Sequence, residues 1–534
     1  MSEVRDAVVV GSGPNGLVAA CKLADAGWDV LVLEAQPAPG GAVRTEELTE
    51  PGFRHDVFSA FYPLAAASPH IRALGLEDHG LRWRRAEAAV AHAFDDGRAA
   101  ALYRDPERTA ASVAAFGPAD RDAWRRWSAW WERAGPPLVH ALLSPFPPAR
   151  ATARLARVLG ASGLLDLARL GVLPVRRHTE EEFAGAGAAM LLAGNALHAD
   201  FTPETPGGSI YAWVLCGLGQ QVGFPVPEGG AARLTEALVS RLRAAGGELR
   251  CAEEVVAIDA RGPTVHTAGG ATVRARRAVL ADTAAPALYG RLLRNAQLPG
   301  RFAGDLARFE WDPATVKVDW ALDGPIPWTA PEPRTAGTVH VSPGLDHLTE
   351  WSTALQLRRI PERPFLVLGQ YAPADPTRMP DGKEVAWAYT HIPQGSWTPE
   401  RTAAIVDAIE DEIERCAPGF RALVRARHVL TPPDFEARNA NLVGGALGGG
   451  TAQLHQQLVF RPAPGGLARP ETPVPKVYLA SSSAHPGGGV HGACGANAAH
   501  AALRAPQNAP RRMITAGTVL TRMLRSRKTD QRSR

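Results

Sequence analysis

The chain has little cysteine: five in 534 residues, at positions 21, 216, 251, 416 and 494. The count is odd, the positions are scattered and no Cys-x-x-Cys occurs, so a paired redox disulfide is excluded. No metal-ligand spacing is found either, and no metal is expected. Reduced thiols in a cytoplasmic compartment are the simplest reading. An excess of either charge is also missing. The 58 basic and 54 acidic residues leave a formal +4, too balanced for a nucleic-acid partner. No apolar run approaches the roughly 20 residues that span a bilayer. The first one, Ala7 to Val10, ends at glycine without a basic flank or cleavage site, so no secretory signal is expected. What remains is 45% hydrophobic content, enough for a substantial core, in a length that would allow about three domains.

Glycine is abundant and grouped. The chain opens with Asp6-Ala-Val-Val-Val-Gly11-Ser-Gly13-Pro14-Asn15-Gly16, then an apolar helix pattern, then Asp29-Val-Leu-Val-Leu-Glu34-Ala35. The order strand, glycine turn, helix, strand, acid is the one a dinucleotide needs. Val8 to Val10 reads as a buried parallel strand. Gly11 makes the tight turn, Gly13 admits a pyrophosphate to the backbone, and Gly16 lets the helix pack close to the sheet. The helix start supplies free N–H groups and the positive end of its dipole, which suits phosphates. Glu34 ends the second strand 18 positions after Gly16, where a carboxylate accepts hydrogen bonds from ribose hydroxyls.

The next residues favour FAD over NAD. Pro39-Gly40-Gly41-Ala42-Val43-Arg44-Thr45 follows directly. Many flavin oxidoreductases carry a double glycine and an arginine here, folded over the diphosphate, and the fork of Arg44 suits phosphate. A plain surface turn is the other reading. Near the far end, Lys476 to Ser482 reads as a strand, His485-Pro-Gly-Gly488-Gly489-Val490-His491-Gly-Ala493-Cys494-Gly495 as a loop, and Ala496 to Leu503 as a small-residue helix. This second loop is expected to contact the same cofactor, with backbone donors towards flavin O2 and N1. His485 and His491 either move a proton there or pack for structure.

On these residues the chain resembles the phytoene-desaturase-related FAD oxidoreductases, in the branch that includes the pyridine nucleotide-disulfide oxidoreductase domain-containing protein 2. Four stretches carry the likeness: Val8 to Tyr62, Pro225 to Ile258, Thr431 to Gly450 with Glu436-Ala-Arg-Asn-Ala-Asn, and His485 to Asn497. One departure stands out: Ala42 follows the double glycine where that group often has arginine, and the arginine comes at Arg44. The resemblance implies an α/β fold, with a Rossmann-like FAD-binding domain interleaved with an α+β substrate domain. It implies FAD at Gly11, Gly13, Pro14, Asn15, Gly16, Glu34, Ala35, Gly40, Gly41, Arg44, Gly488, Gly489, Val490, His491 and Ala493. Backbone groups of Val255 would meet the adenine.

The expected FAD-binding domain comprises 1–65, 225–300 and 431–505, and the substrate domain 66–224 and 301–430. Trp124, Trp127, Trp130 and Trp131 recur at helical spacing, as a buried aromatic face or the wall of an apolar channel. Arg150, Arg154 and Arg157 alternate with Leu155, Val158 and Leu159 on a basic amphipathic helix, either solvated or membrane-facing. Pro225-Val-Pro-Glu-Gly229-Gly230 brings the chain back to the cofactor, and Leu249 to Ile258 reads as one strand. Thr315 to Leu322, Phe365 to Tyr371 and Ala386 to Ile392 suggest an antiparallel sheet under the flavin. Gly444 to Gly450 lacks a flanking strand and helix, and is expected to be a loop near the substrate. The tail, 506–534, carries eight arginines and lysines from Arg511 onward. It reads as a frayed basic terminus or as a peripheral contact with an anionic membrane, on the inner surface.

The expected activity is hydride transfer from a small apolar substrate, isoprenoid- or lipid-like, to flavin N5, with oxygen or a quinone reoxidising the flavin. A flavin amine oxidase is one alternative, although Pro486 to Gly492 lacks the aromatic residue that completes an amine cage. A non-catalytic binding protein of the Rab GDP-dissociation-inhibitor type is the other.

Overall fold

The computed structural model describes residues 3–260 and 263–505. The basic tail lies outside them. Two seven-stranded sheets organise the chain. In the first, the strand Glu3–Val10 lies parallel to Val30–Leu33 on one side and to Thr272–Ala281 on the other. Its side chains alternate between two cores. Val8, Val10, Leu31 and Leu33 enter one, while Ala7, Val9, Val30 and Val32 enter the other. Both faces are therefore covered, which explains the unbroken apolar run in the sequence. Val477–Leu479 pairs parallel with the end of Thr272–Ala281. One strand thus separates the first residues of the chain from a strand near its other end.

The single strand expected at Leu249 to Ile258 is two. Glu248–Arg250 pairs parallel with Val30–Leu33, whereas Val255–Ile258 pairs antiparallel with Thr264–Thr267. Between them the chain turns off the sheet: Ala252 has φ +57°, and the Ala252 and Glu253 N–H groups donate to the Gln36 and Glu34 carbonyls. Periodicity cannot register such a break, because the apolar pattern resumes after it.

The first helix, Pro14–Asp25, starts from Gly13 and buries Leu17, Val18, Leu23 and five small residues, Gly16, Ala19, Ala20, Cys21 and Ala24. Each larger side chain contributes roughly 1.5–3 kcal/mol on burial. The helix is crossed by Ala493–Arg504, whose buried residues are five alanines with Cys494, Gly495 and Asn497. Small side chains allow the two axes to come close. That helix begins at Ala493, earlier than the apolar pattern suggests.

The second sheet runs in the order Val424–Leu430, Ala314–Leu322, Glu384–Ile392, Leu366–Gln370, Ala336–Val341, Ala88–Ala93, Ala99–Tyr103. It is mixed rather than antiparallel throughout, since Ala336–Val341 and Ala88–Ala93 are parallel. Val316, Val318, Trp320, Ala386 and Ala388 face Ile405, Ile409 and Ile413 of the helix Thr402–Cys416. The opposite face carries Val385, Trp387 and Tyr389, which join the core of the helical layer. There Trp124, Trp127 and Trp131 are buried around Trp213. Gly217 is required beside them, because a Cβ there would lie 2.0 Å from the Trp131 ring. The helix Ala149–Leu170 buries Leu155 but leaves Val158 and Leu165 exposed.

Candidate dinucleotide site

The parallel strand ends at Val10, and Gly11 turns the chain with φ +94°, a conformation open mainly to glycine. Its neighbours need glycine for space. A Cβ on Gly13 would sit 2.6 Å from Asp282 Oδ2, and one on Gly16 would sit 2.3 Å from the Gly11 carbonyl oxygen. Pro14 occupies the first helical position, where no N–H is needed. Glu34 is buried at the end of the second strand, and Ala35 beside it is exposed. The Glu34 carboxylate accepts from Ser12 N–H at 2.8 Å, Ser12 Oγ at 2.6 Å and Gln36 N–H at 2.9 Å. The acid is thereby fixed directly under the glycine loop.

The double glycine packs on that loop. Gly40 N–H donates to the Ser12 carbonyl at 3.1 Å, and a Cβ on Gly41 would lie 3.0 Å from Gly13 Cα. Arg44 is committed to Glu46, 3.1 Å away, which Arg438 also engages. Val255 begins its strand just beyond the segment bonded to Glu34 and Gln36. Pro225 to Gly230 docks on the Thr45/Asp56 hairpin rather than on the loop itself: Ala231 N–H donates to Asp56 and Ala232 N–H to Thr45 Oγ1.

The second glycine loop reaches the same place. Gly495 lies against the first loop so tightly that a Cβ there would stand 1.8 Å from the Asn15 carbonyl oxygen. Gly488 and Gly489 are exposed, Val490 is half-buried, and His491 and Ala493 are buried. His491 Nδ1 accepts from Ala493 N–H at 3.0 Å, so this ring caps the helix start. Burial, with His70 nearby, lowers its pKa to about 4 and keeps it neutral. His485 is likewise lowered to about 4 by burial and faces the Phe146 ring.

Several residues here were not singled out from the sequence. Asp282 ends the strand beside the first loop and accepts from Gly16 N–H at 2.9 Å. Burial, with Glu34 close by, raises its carboxyl to about 7. Asn441, inside the quoted Glu436-Ala-Arg-Asn-Ala-Asn stretch, clamps the Asp282 carbonyl and Ala284 N–H. Arg461 is fully buried and donates to the carbonyls of Gly448, Gly449, Gly450, Thr451 and Ser482. It pins the Gly444–Gly450 loop against the C-terminal loop, where Gly488 meets Gly448. Farther along the second sheet, Lys317 donates to Asp319 and to the Asp56 carbonyl. Burial alone would raise the Asp319 carboxyl, but Lys317 and His55 hold it below its usual value. Asp282 with Gly16, Asn441 with Asp282, and Lys317 with Asp56 could not be read from spacing, because those partners lie 157 or more positions apart along the chain.

Asn15 Oδ1 and both amide atoms of Asn497 are buried without a hydrogen-bond partner, one on each of the two crossing helices. These buried amides leave hydrogen-bonding capacity for a polar group on both helices. Residues 15–502 match the family of flavin containing amine oxidoreductases. The chain belongs to that family. Within it, the chain is similar to the pyridine nucleotide-disulfide oxidoreductase domain-containing protein 2 of Rattus norvegicus, 28% identical, over 94% of each chain. It is also similar to a neurosporene-forming phytoene desaturase of Cereibacter sphaeroides, 25% identical, over 92% of this chain and 93% of the relative. Among solved structures, wild-type putrescine oxidase bound to putrescine shares the fold, with TM-score 0.59 and 17% identity. That match covers 94% of this chain and 99% of the other. Family membership makes the chain a flavin-dependent oxidoreductase. Its two glycine loops, Glu34 and the two unsatisfied asparagines are the residues that fit such a group. Among the described residues no cluster of side chains suits a metal ion, and no helix is long and apolar enough to cross a membrane.

Proposed function

We propose that the chain binds FAD between its two glycine loops and oxidises an apolar substrate by hydride transfer. The observation that carries this reading is the packing of Gly495 on the Asn15 carbonyl, which brings together the helices that follow the two glycine loops, each with a buried, unsatisfied asparagine amide, Asn15 and Asn497. The bound flavin supplies the hydride acceptor. The protein's own part is binding and orientation. The start of Pro14–Asp25 and the backbone at Gly13 and Gly41 would take the diphosphate. Glu34 would accept from the ribose, and the segment at Ala252 to Val255 runs beside it where an adenine would be read. Gly488 to Val490 would present backbone groups to the ring system. His491 stays neutral and holds the helix start, so it is assigned to shape rather than to proton transfer.

The apolar substrate class is supported by the likeness to a phytoene desaturase. The loop Pro486 to Gly492 also lacks the aromatic residue that would complete an amine cage.

A bound-flavin spectrum followed by anaerobic reduction tests this reading. A yellow protein bleached by polyenes or lipid-like alkenes supports it. Bleaching by amines alone would make it an amine oxidase, and a colourless protein that cannot be loaded with FAD would make it a binding protein. Reoxidation by oxygen or by a quinone then identifies the acceptor.

A further inference from the structure

A cavity of about 600 Å³ opens on the second sheet, away from the glycine loops. It lies between the turn after the helix Leu345–Gln356 and the first turns of Thr402–Cys416. Three arginines line it: Arg358, Arg359 and Arg401. The three arginines are exposed; the guanidinium groups of Arg358 and Arg359 have no partner among the described residues, and that of Arg401 donates only to the Ser396 carbonyl. Arginines nearby in sequence are treated differently. Arg363 is paired with Glu412, Arg415 with the same acid, and Arg421 with Glu410 and Asp411. One acid, Glu362, lies at the cavity, leaving an excess of two positive charges from three arginines and one glutamate. Its other lining is apolar, with Ile360, Ile392 and Ile405.

Arg358 adds a second observation. It occupies the position that ends its helix, with φ +58°, where glycine is usual. Arg359 N–H reaches back to the Ala354 carbonyl at 2.8 Å, closing the helix end around it. An arginine in left-handed backbone is disfavoured, and the glycine that would relieve it would remove one of the three guanidinium groups at the cavity. His391, also in the lining, is tied to Asp200 at 3.2 Å and kept neutral by burial, so the positive charge of the site comes from the arginines.

We infer that this cavity is a binding site for an anionic amphiphile. A phosphate or carboxylate head would sit on the guanidinium forks, and a single apolar chain would lie along Ile360, Ile392 and Ile405. Forked donors recognise such heads bidentately, and the volume lies in the range of small-molecule sites. The head belongs either to a soluble amphiphile or to a lipid leaving a bilayer. The site shares no residue with the glycine loops and does not depend on the reading given to them.

Calorimetric titration of the full-length protein with dodecyl phosphate below its micelle concentration tests this. One saturable site is expected, weakened about tenfold or more in Arg359→Gln/Arg401→Gln. Ala404→Trp, which fills the cavity and keeps the arginines, should abolish binding. Both variants should keep the parent's circular dichroism, melting temperature and flavin spectrum. Dodecanol and inorganic phosphate, each carrying half of the ligand, should bind far more weakly. Co-sedimentation with phosphatidylglycerol but not phosphatidylcholine vesicles, lost in Arg359→Gln/Arg401→Gln, would assign the head to bilayer lipid. Binding of dodecyl phosphate without vesicle capture would assign it to a soluble amphiphile. Parent-like binding by both variants, or dodecanol or phosphate binding as tightly as dodecyl phosphate, overturns the inference.

Discussion

Asp282→Asn should stabilise this protein at alkaline pH and leave it unchanged in acid. The carboxyl is buried beside the first glycine loop, accepts from Gly16 N–H, and has Glu34 as a neighbour. Burial raises it from its ordinary 3.8 to about 7. A carboxyl raised in the folded state is protonated more readily folded than unfolded. Below about pH 4 both states carry the proton and nothing is lost. As pH rises from about 4 to 7 the unfolded state ionises and the folded state resists, so stability falls. Above pH 7 the loss is complete, on the order of 4 kcal/mol. Asparagine keeps an oxygen for Gly16 N–H and never ionises, so it removes that loss. Melting curves at pH 4.5 and pH 8 measure the effect. The variant should melt several degrees higher than the parent at pH 8 and within a degree or so of it at pH 4.5. It should also bind FAD more tightly at pH 8, because no ionised carboxylate then opposes phosphates at the same helix terminus. An equal shift at both pH values, or lower stability at pH 8, would refute the reasoning.

Other outcomes follow from the same contacts. Gly495→Ala places a Cβ 1.8 Å from the Asn15 carbonyl oxygen, so melting temperature and flavin occupancy should fall together, by about 1–3 kcal/mol in stability. An alanine variant that kept both would show that the helices do not cross as described. Lys317→Met leaves Asp319 buried without its cation and should destabilise by about 3–5 kcal/mol, with most regained in Lys317→Met/Asp319→Leu. Urea unfolding of the three proteins reads this, and additive losses would contradict the pairing. Arg461→Met strips donors from five carbonyls and should expose the 444–457 region to limited proteolysis before the rest unfolds. The visible flavin spectrum should show no step near pH 6.5, because burial keeps His491 and His485 neutral there. A step at that pH that disappears in His491→Gln would count against this.

Local pattern made the first strand, first helix and second strand legible, because a parallel strand covered on both faces must be apolar throughout. It also placed Glu34 at a strand end, and the structure has it there, buried under the glycine loop. The sheet strands at Ala314–Leu322 and Glu384–Ile392 were legible for a related reason: long β-branched and aromatic runs resist helix formation. The break at Ala252 was not, since a single left-handed residue leaves no trace in periodicity.

By itself the sequence determined that a strand–loop–helix–strand unit with a terminal acid would form, because each step depends on neighbours within about 30 residues. It also determined which glycines had to be glycines at that turn. Only the tertiary structure decided that Asp282 would share the helix start with the first loop, that Gly495 would pack on the Asn15 carbonyl, and that Arg461 would hold the C-terminal loop. The first two contacts join residues hundreds of positions apart, and the third joins irregular segments with no shared periodicity. Nothing local in the chain encodes them, and they arise from the close crossing of two alanine- and glycine-rich helices beside one sheet.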